Sequence, residues 1–263
     1  MSQQPHPMER LFPELSLIDR SELKAMGTIR PVLMIAMTAR TGSTHLCSGL
    51  SSIFTTEMPV EIFNGRDTMV WEKQHRNVQT FAEFLKQYYE ERKNMIIFKT
   101  SWNDFSFFRD KVFTLFPNLK FLYLNRLDTE AQAVSLFKAI ISSKSHDTPS
   151  LDAPAKMSDE ELQAKFDLKR ICQLILSLEQ EKRQWENFFF ANDLQPARIN
   201  YESFKDGLGK AIQQILHHNG YPPLDTSIVK SDYKKLSDAI NDAWVAAVHD
   251  YRSGKFYEQP QQP

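Results

Sequence analysis

Between Pro31 and Leu50 the chain reads PVLMIAMTARTGSTHLCSGL, and this stretch restricts the fold more than any other. Val32 to Met37 is an unbroken apolar run of strand length, the pattern of a parallel strand covered on both faces. From His45 to Phe54 apolar residues recur at Leu46, Leu50, Ile53 and Phe54, near the helical period. Strand, loop and helix therefore follow one another. The loop, Thr38 to Thr44, offers backbone N–H groups at a helix N-terminus, hydroxyls and the Arg40 guanidinium. Gly42 lets the backbone approach a ligand closely. Such a loop suits a phosphate-like anion; the alternative is an N-capped helix after a tight turn, with Ser43 or Thr44 as the cap.

The same alternation continues. Asn94 to Lys99 and Leu119 to Leu124 read as buried strands, and Ala197 to Tyr201 as a weaker one. Phe81 to Arg92 and Thr129 to Ser143 read as helices, and Asp159 to Asn192 as one long helix or two broken ones. Strands alternating with helices predict right-handed crossovers and an α/β, P-loop-like three-layer fold, its central sheet mostly parallel and flanked by helices. In such sheets ligands bind beyond the carboxyl ends of the strands. The Thr38 loop, Lys99 and Arg126 fall at or beyond those ends, so one pocket can gather all three.

The loop is also defined by what it lacks. The pattern GxxxxGK[ST] of nucleoside triphosphatases needs a second Gly and a Lys, and a Cys-based phosphatase needs its Cys before the loop and its Arg after it. Here Arg40 precedes and Cys47 follows.

Composition excludes further classes. A net charge of −1 argues against a broad nucleic-acid or anionic-membrane surface and leaves room for a small basic pocket. Two cysteines, Cys47 and Cys172, provide neither a disulfide framework nor zinc spacing, and no histidine pair stands at metal-site spacing on a helix face. No apolar stretch reaches the roughly 20 residues that span a bilayer, and the N-terminus lacks a leader pattern. These observations predict a soluble cytoplasmic protein of one domain over residues 1–263, with 1–29 as an N-terminal extension and 254–263 as a C-terminal tail. The Pro/Gln-rich ends, Gln3 to Pro7 and Gln259 to Pro263, read as frayed. Neither a metal nor a nucleic-acid partner is expected, and a homo-oligomer stays open.

A second anion contact is offered by Leu124 to His146. Asp128 is placed to cap a helix starting at Thr129; Arg126 stands just before it, and Ser135 lies nine positions further on, where an extended Arg side chain reaches towards its hydroxyl. Two such contacts suit a ligand with two phosphate-like ends.

TARTGSTHLC, EMPVEIFN, FKTSWND and LNRLDTEAQAVSLFKA, in this order, resemble the Stf0-type, trehalose 2-sulfotransferase-like sulfotransferases. The resemblance runs from about Pro31 to the end, and RTGST and the RxD…QAVS block are its specific parts. It implies 3′-phosphoadenylyl sulfate (PAPS) as donor, leaving adenosine 3′,5′-bisphosphate (PAP), with no metal required. It implies that Arg40, Thr41, Gly42, Ser43 and Thr44 hold the 5′-phosphosulfate, and that Arg126 and Ser135 bind the 3′-phosphate. The family's P-x-E-F-F block, whose Glu is the proposed base, reads Pro59, Val60, Glu61, Ile62, Phe63, which makes Glu61 the candidate base, with Glu57 as rival. Lys99 in FKTSW resembles the lysine of cytosolic steroid and phenol sulfotransferases, where a nearby histidine is the base; Ser101 stands at that place here. Lys99 then acts as an electrostatic clamp on the transferring group.

Several positions depart from the pattern. Asn125 stands where a basic residue often precedes the Arg, and Leu127 where Pro is usual; Asn64 to Gln79 lacks recognisable acceptor features, and the C-terminal donor loop of the cytosolic branch is not evident. Trp71, Trp102 and Phe63 are candidates for stacking on a sugar, or for the core. The expected acceptor is a hydroxyl, or an amine, of a small carbohydrate or polar metabolite. Two other readings use the same loop: a nucleotide-dependent phosphotransferase, which needs magnesium and ATP, and a non-catalytic nucleotide-binding protein.

Overall fold

The computed structural model describes residues 5–17, 31–54, 58–92, 95–142, 157–205, 207–229 and 238–255. Its sheet holds β1 (Val32–Met37), β2 (Ile96–Ser101), β3 (Leu119–Asn125) and β4 (Ala197–Asn200) in the order β2-β1-β3-β4, all parallel. Ile35 pairs with Lys99 on one side and Leu122 on the other, so β1 is central and all six of its residues are buried. This accounts for an apolar run without alternation.

Helices cover both faces. Leu33, Ile35, Met37, Ile97, Leu122 and Leu124 pack against α2 (Ser43–Phe54) and α10 (Gly209–His218). Val32, Met34, Ala36, Phe98 and Phe121 meet α4 (Phe81–Glu91) and the aromatic residues Trp185, Phe188 and Phe189 of α9 (Leu168–Ala191). A third cluster joins α9 to α7 (Thr129–Ile141) and α11 (Ala239–Arg252) through Phe137, Ile175 and Trp244. The α/β architecture expected from the sequence is thus present, with its helices in two outer layers.

Two expectations, for β2 and for the N-terminus, need correction in detail, and the choice left open for Asp159 to Asn192 is settled. β2 extends to Ser101, because Thr100, polar in pattern, is buried beside Ala36. Lys99 is therefore inside the strand and not at its end. The Asp159 to Asn192 segment is two helices, α8 (Asp159–Gln163) and α9, each with its own cap, Ser158 and Asp167. At the N-terminus Pro7 opens α1 (Pro7–Leu11), capped by His6, and Met8, Phe12 and Leu15 are buried in the core beside Ile62 and Phe63. Apolar spacing in MERLFPEL carries that packing. Gln259 to Pro263 lies outside the described residues.

Candidate active site

From β1 the chain crosses to β2 on one side and then to β3 on the other, so the connections diverge at the carboxyl ends of β1 and β3. Divergence of this kind opens a crevice. The loop after β1 and the turn after β3 meet there. The loop has Arg40 at φ 64° and Gly42 at φ 78°, both left-handed, before α2 starts at Ser43. A Cβ on Gly42 would lie 2.6 Å from the Tyr201 ring, so only glycine fits. The loop is braced from inside: Thr41 Oγ1 donates to the Thr38 carbonyl (3.0 Å), and Gln132 Nε2 donates to Thr38 Oγ1 (2.7 Å) and to the Ala39 carbonyl (2.6 Å). Thr41 and Gln132 are fully buried.

Arg40 Nε donates to Ser135 Oγ at 3.1 Å, and Arg126 Nη1 donates to the Arg40 carbonyl at 3.3 Å. The sequence suggested that Arg126 reaches Ser135; instead Ser135 receives Arg40, and Arg126 lies with its guanidinium carbon 4.8 Å from the Tyr201 ring centre. The reason is geometric. Ser135 sits more than one turn up α7, about 1.5 Å of rise per residue, while Arg126 follows directly on β3 and its guanidinium turns to the Arg40 carbonyl in the loop after β1. Burial, and then the Arg126 charge, hold Arg40 below its ordinary pKa. Arg126 Nε is buried without a hydrogen-bond partner. Two adjacent guanidiniums that disfavour each other's charge are stabilised by an anion between them.

On the other flank, β2 is the edge strand and uses its outward backbone groups on the chain beside it. Tyr88 Oη donates to the Ile97 carbonyl (2.8 Å) and the Lys99 N–H donates to the Val60 carbonyl (3.1 Å). That second bond sets Glu61 next to Lys99. Lys99 Nζ lies 3.5 Å from Glu61 Oε1 and donates to Thr44 Oγ1 at 3.2 Å. Arg40, Gly42, Ser43, Thr44, Glu61, Lys99, Arg126 and Ser135 all line one cleft of ≈ 2080 Å³. Thr41, by contrast, is buried and turns its side chain away from it, and Glu57 lies outside the described residues. Phe63 and Trp102 are core residues, whereas Trp71 is 54% exposed, lines the cleft and stacks on His75 at 3.8 Å. Among the described residues no cluster of His, Cys, Asp or Glu is placed to hold a metal ion, and no helix is long and apolar enough to cross a membrane.

The sequence reading missed Gln132, Lys182, Tyr201 and Glu202. Gln132 carried a signal, as a polar residue among Ala133 and Val134 on a buried helix face. Tyr201 followed a strand end. Lys182, deep in a long amphipathic helix, carried none.

Fold and site together define an α/β protein with a cleft lined by Arg40, Lys99 and Arg126 at the switch point of a parallel sheet. The model of the Stf0 sulphotransferase family matches residues 104–253, more than half of the chain, and the chain belongs to that family. Sulfuryl transfer is the chemistry of the family. The matched region contains Arg126 and Ser135; Arg40 to Thr44, Glu61 and Lys99 precede it and join it through the bonds of Arg40 with Ser135 and Arg126. No curated protein matches the chain in a sequence comparison.

Proposed function

We propose that this protein is a PAPS-dependent sulfotransferase of one domain that acts on a hydroxyl, or an amine, of a small carbohydrate or polar metabolite in the cytoplasm. The observation that carries the reading is the bridge of Lys99 between Thr44, at the start of the anion loop, and Glu61. The residues fit a donor with two anionic ends. Arg126 Nε has a buried, unused donor hydrogen, Gly42 lets the Tyr201 ring that carries Arg126 pack against the loop, and Arg40 and Arg126 concentrate positive charge. Arg40, Thr41, Gly42, Ser43 and Thr44 hold the phosphosulfate end through backbone and side-chain donors, and Arg126 with Ser135 holds the 3′-phosphate.

When bound, PAPS supplies the sulfuryl group together with its own leaving phosphate. Glu61 takes the proton of the acceptor hydroxyl as attack proceeds. Lys99 presents its ammonium to the negative charge that grows on the leaving side. Its contact with Glu61 keeps the base in register with the loop. Free Cys47 and Cys172 agree with a reducing compartment.

The test is thermal stabilisation by PAP, AMP, and ATP with magnesium. At equal concentration PAP is expected to raise Tm more than AMP does, and ATP with magnesium to add nothing; a response confined to ATP with magnesium overturns the reading in favour of a phosphotransferase.

A further inference from the structure

The turn between β3 and α7, residues 126–128, is held from two sides by residues outside the anion loop. Lys182 Nζ, from α9, donates to the Arg126 carbonyl at 2.6 Å and to Thr129 Oγ1 at 2.9 Å. Glu202, just after β4, accepts from the Leu127 N–H with both carboxylate oxygens (3.1 and 3.2 Å) and from the Asp128 N–H at 3.3 Å. The cation thus binds the carbonyl end of the turn and the anion its amide end, so each peptide dipole meets an opposing charge. Asp128 in turn caps α7 by accepting from the Ala131 N–H at 2.8 Å. The backbone from which the Arg126 side chain departs is fixed by these contacts. Arg126 itself makes one hydrogen bond to the loop and rests on the Tyr201 ring, adjacent in sequence to Glu202.

We infer that Lys182 and Glu202 are positioning residues for Arg126, and that discrimination of a ligand by its 3′-phosphate depends on them. The inference rests on the donor reading above. Without Lys182 the Arg126 carbonyl and the Thr129 hydroxyl lose their charged partner, the turn relaxes, and Arg126 no longer meets the phosphate at a fixed distance. Glu202 acts on the same turn through its amides, so the two residues work on one target.

The experiment measures the affinities of PAP and 5′-AMP, which differ by the 3′-phosphate, for the full chain and its variants. In Lys182→Met the PAP-to-AMP affinity ratio is expected to fall at least about tenfold, the scale of a lost charge-assisted hydrogen bond, with AMP affinity unchanged. Lys182→Arg should restore part of the ratio, and adding Lys182→Met to Arg126→Ala should lower it no further. Glu202→Gln, milder because one oxygen still accepts, should lower the ratio by a smaller factor and serves where Lys182→Met does not fold. An unchanged ratio in the variants of both residues, or equal weakening of PAP and AMP, overturns the inference. A wild-type chain that does not prefer PAP to AMP overturns the donor reading itself, a result separable from the first because it appears before any substitution.

Discussion

Lys99 Nζ stands 3.5 Å from Glu61 Oε1, with the lysine side chain nearly buried and the carboxylate partly open to the cleft. The ammonium also binds Thr44, so one charge serves the loop and the proposed base together. Glu61→Gln is expected to leave PAP affinity nearly intact and to lower transfer by roughly 10²- to 10⁴-fold, the usual contribution of a general base. Lys99→Met should lower both PAP affinity and transfer, since the proposed mechanism turns its ammonium to the leaving side as well. Assays need a panel of sugars and polar metabolites as acceptors. Comparable turnover by Glu61→Gln removes Glu61 as base.

Much of this site was legible because it sits on the strongest periodic signals. The apolar run of β1 and the capped start of α7 fix where Arg40 and Arg126 fall, and a parallel sheet sends both loops to one end. What the sequence did not show depends on contacts between distant segments. The Arg40 to Ser135 bond spans 95 residues, and the Lys182 to Arg126 bond spans 56. The role of Met8 and Phe12 in the core was likewise hidden by a Pro-rich start, although Gly65 packs so closely on the Met8 backbone that a Cβ would lie 2.6 Å from its nitrogen. Leu127, a departure from the usual proline, brings an N–H, and Glu202 satisfies it.

Gly42 and Gly220 form a natural comparison. Both have positive φ, 78° and 72°, but a Cβ on Gly220 meets nothing within 4 Å, whereas one on Gly42 meets the Tyr201 ring at 2.6 Å. Gly220→Ala should therefore cost only the left-handed backbone penalty of about 1–2 kcal/mol. Gly42→Ala should cost more and should weaken PAP binding, because the ring it displaces supports Arg126. Urea unfolding of both variants, with PAP titration, reads the difference; equal costs and unchanged PAP affinity would mean that the ring yields freely.

The two thiols should differ in reactivity. Cys47 is fully buried on the sheet-facing side of α2, and burial pushes its thiol up to about 12, with the Lys99 charge acting the other way. Cys172 is partly exposed. In the native protein at pH 8 a thiol reagent should modify Cys172 promptly and Cys47 only on unfolding. Rapid modification of Cys47 in the Cys172→Ser variant would show that the core under the loop opens readily.

Glu181 gives the protein a readable pH dependence. Burial, reinforced by the Asp104 charge and opposed by the Asn103 amide, raises its pKa from 4.5 to about 7, and its Oε2 is buried without a partner. The folded state therefore holds a proton that the unfolded state has already released in this range, so the wild type loses stability as pH rises from about 4.5 to about 7. Above that window the penalty is complete. Glu181→Gln removes the charge while keeping an oxygen for the Asn103 amide, which donates at 3.1 Å. Any cost of burying the new amide is the same at every pH, so the change between two pH values isolates the charge. Relative to wild type, the variant should be more stable at pH 8 than at pH 5 by roughly 2–3 kcal/mol, an upper figure that follows from 1.36 kcal/mol per pKa unit. Urea unfolding of both proteins at the two pH values measures it. Equal differences at pH 5 and pH 8 would mean that Glu181 titrates as an ordinary surface acid, and that water reaches the junction of α9 with the Asn103–Asp104 turn.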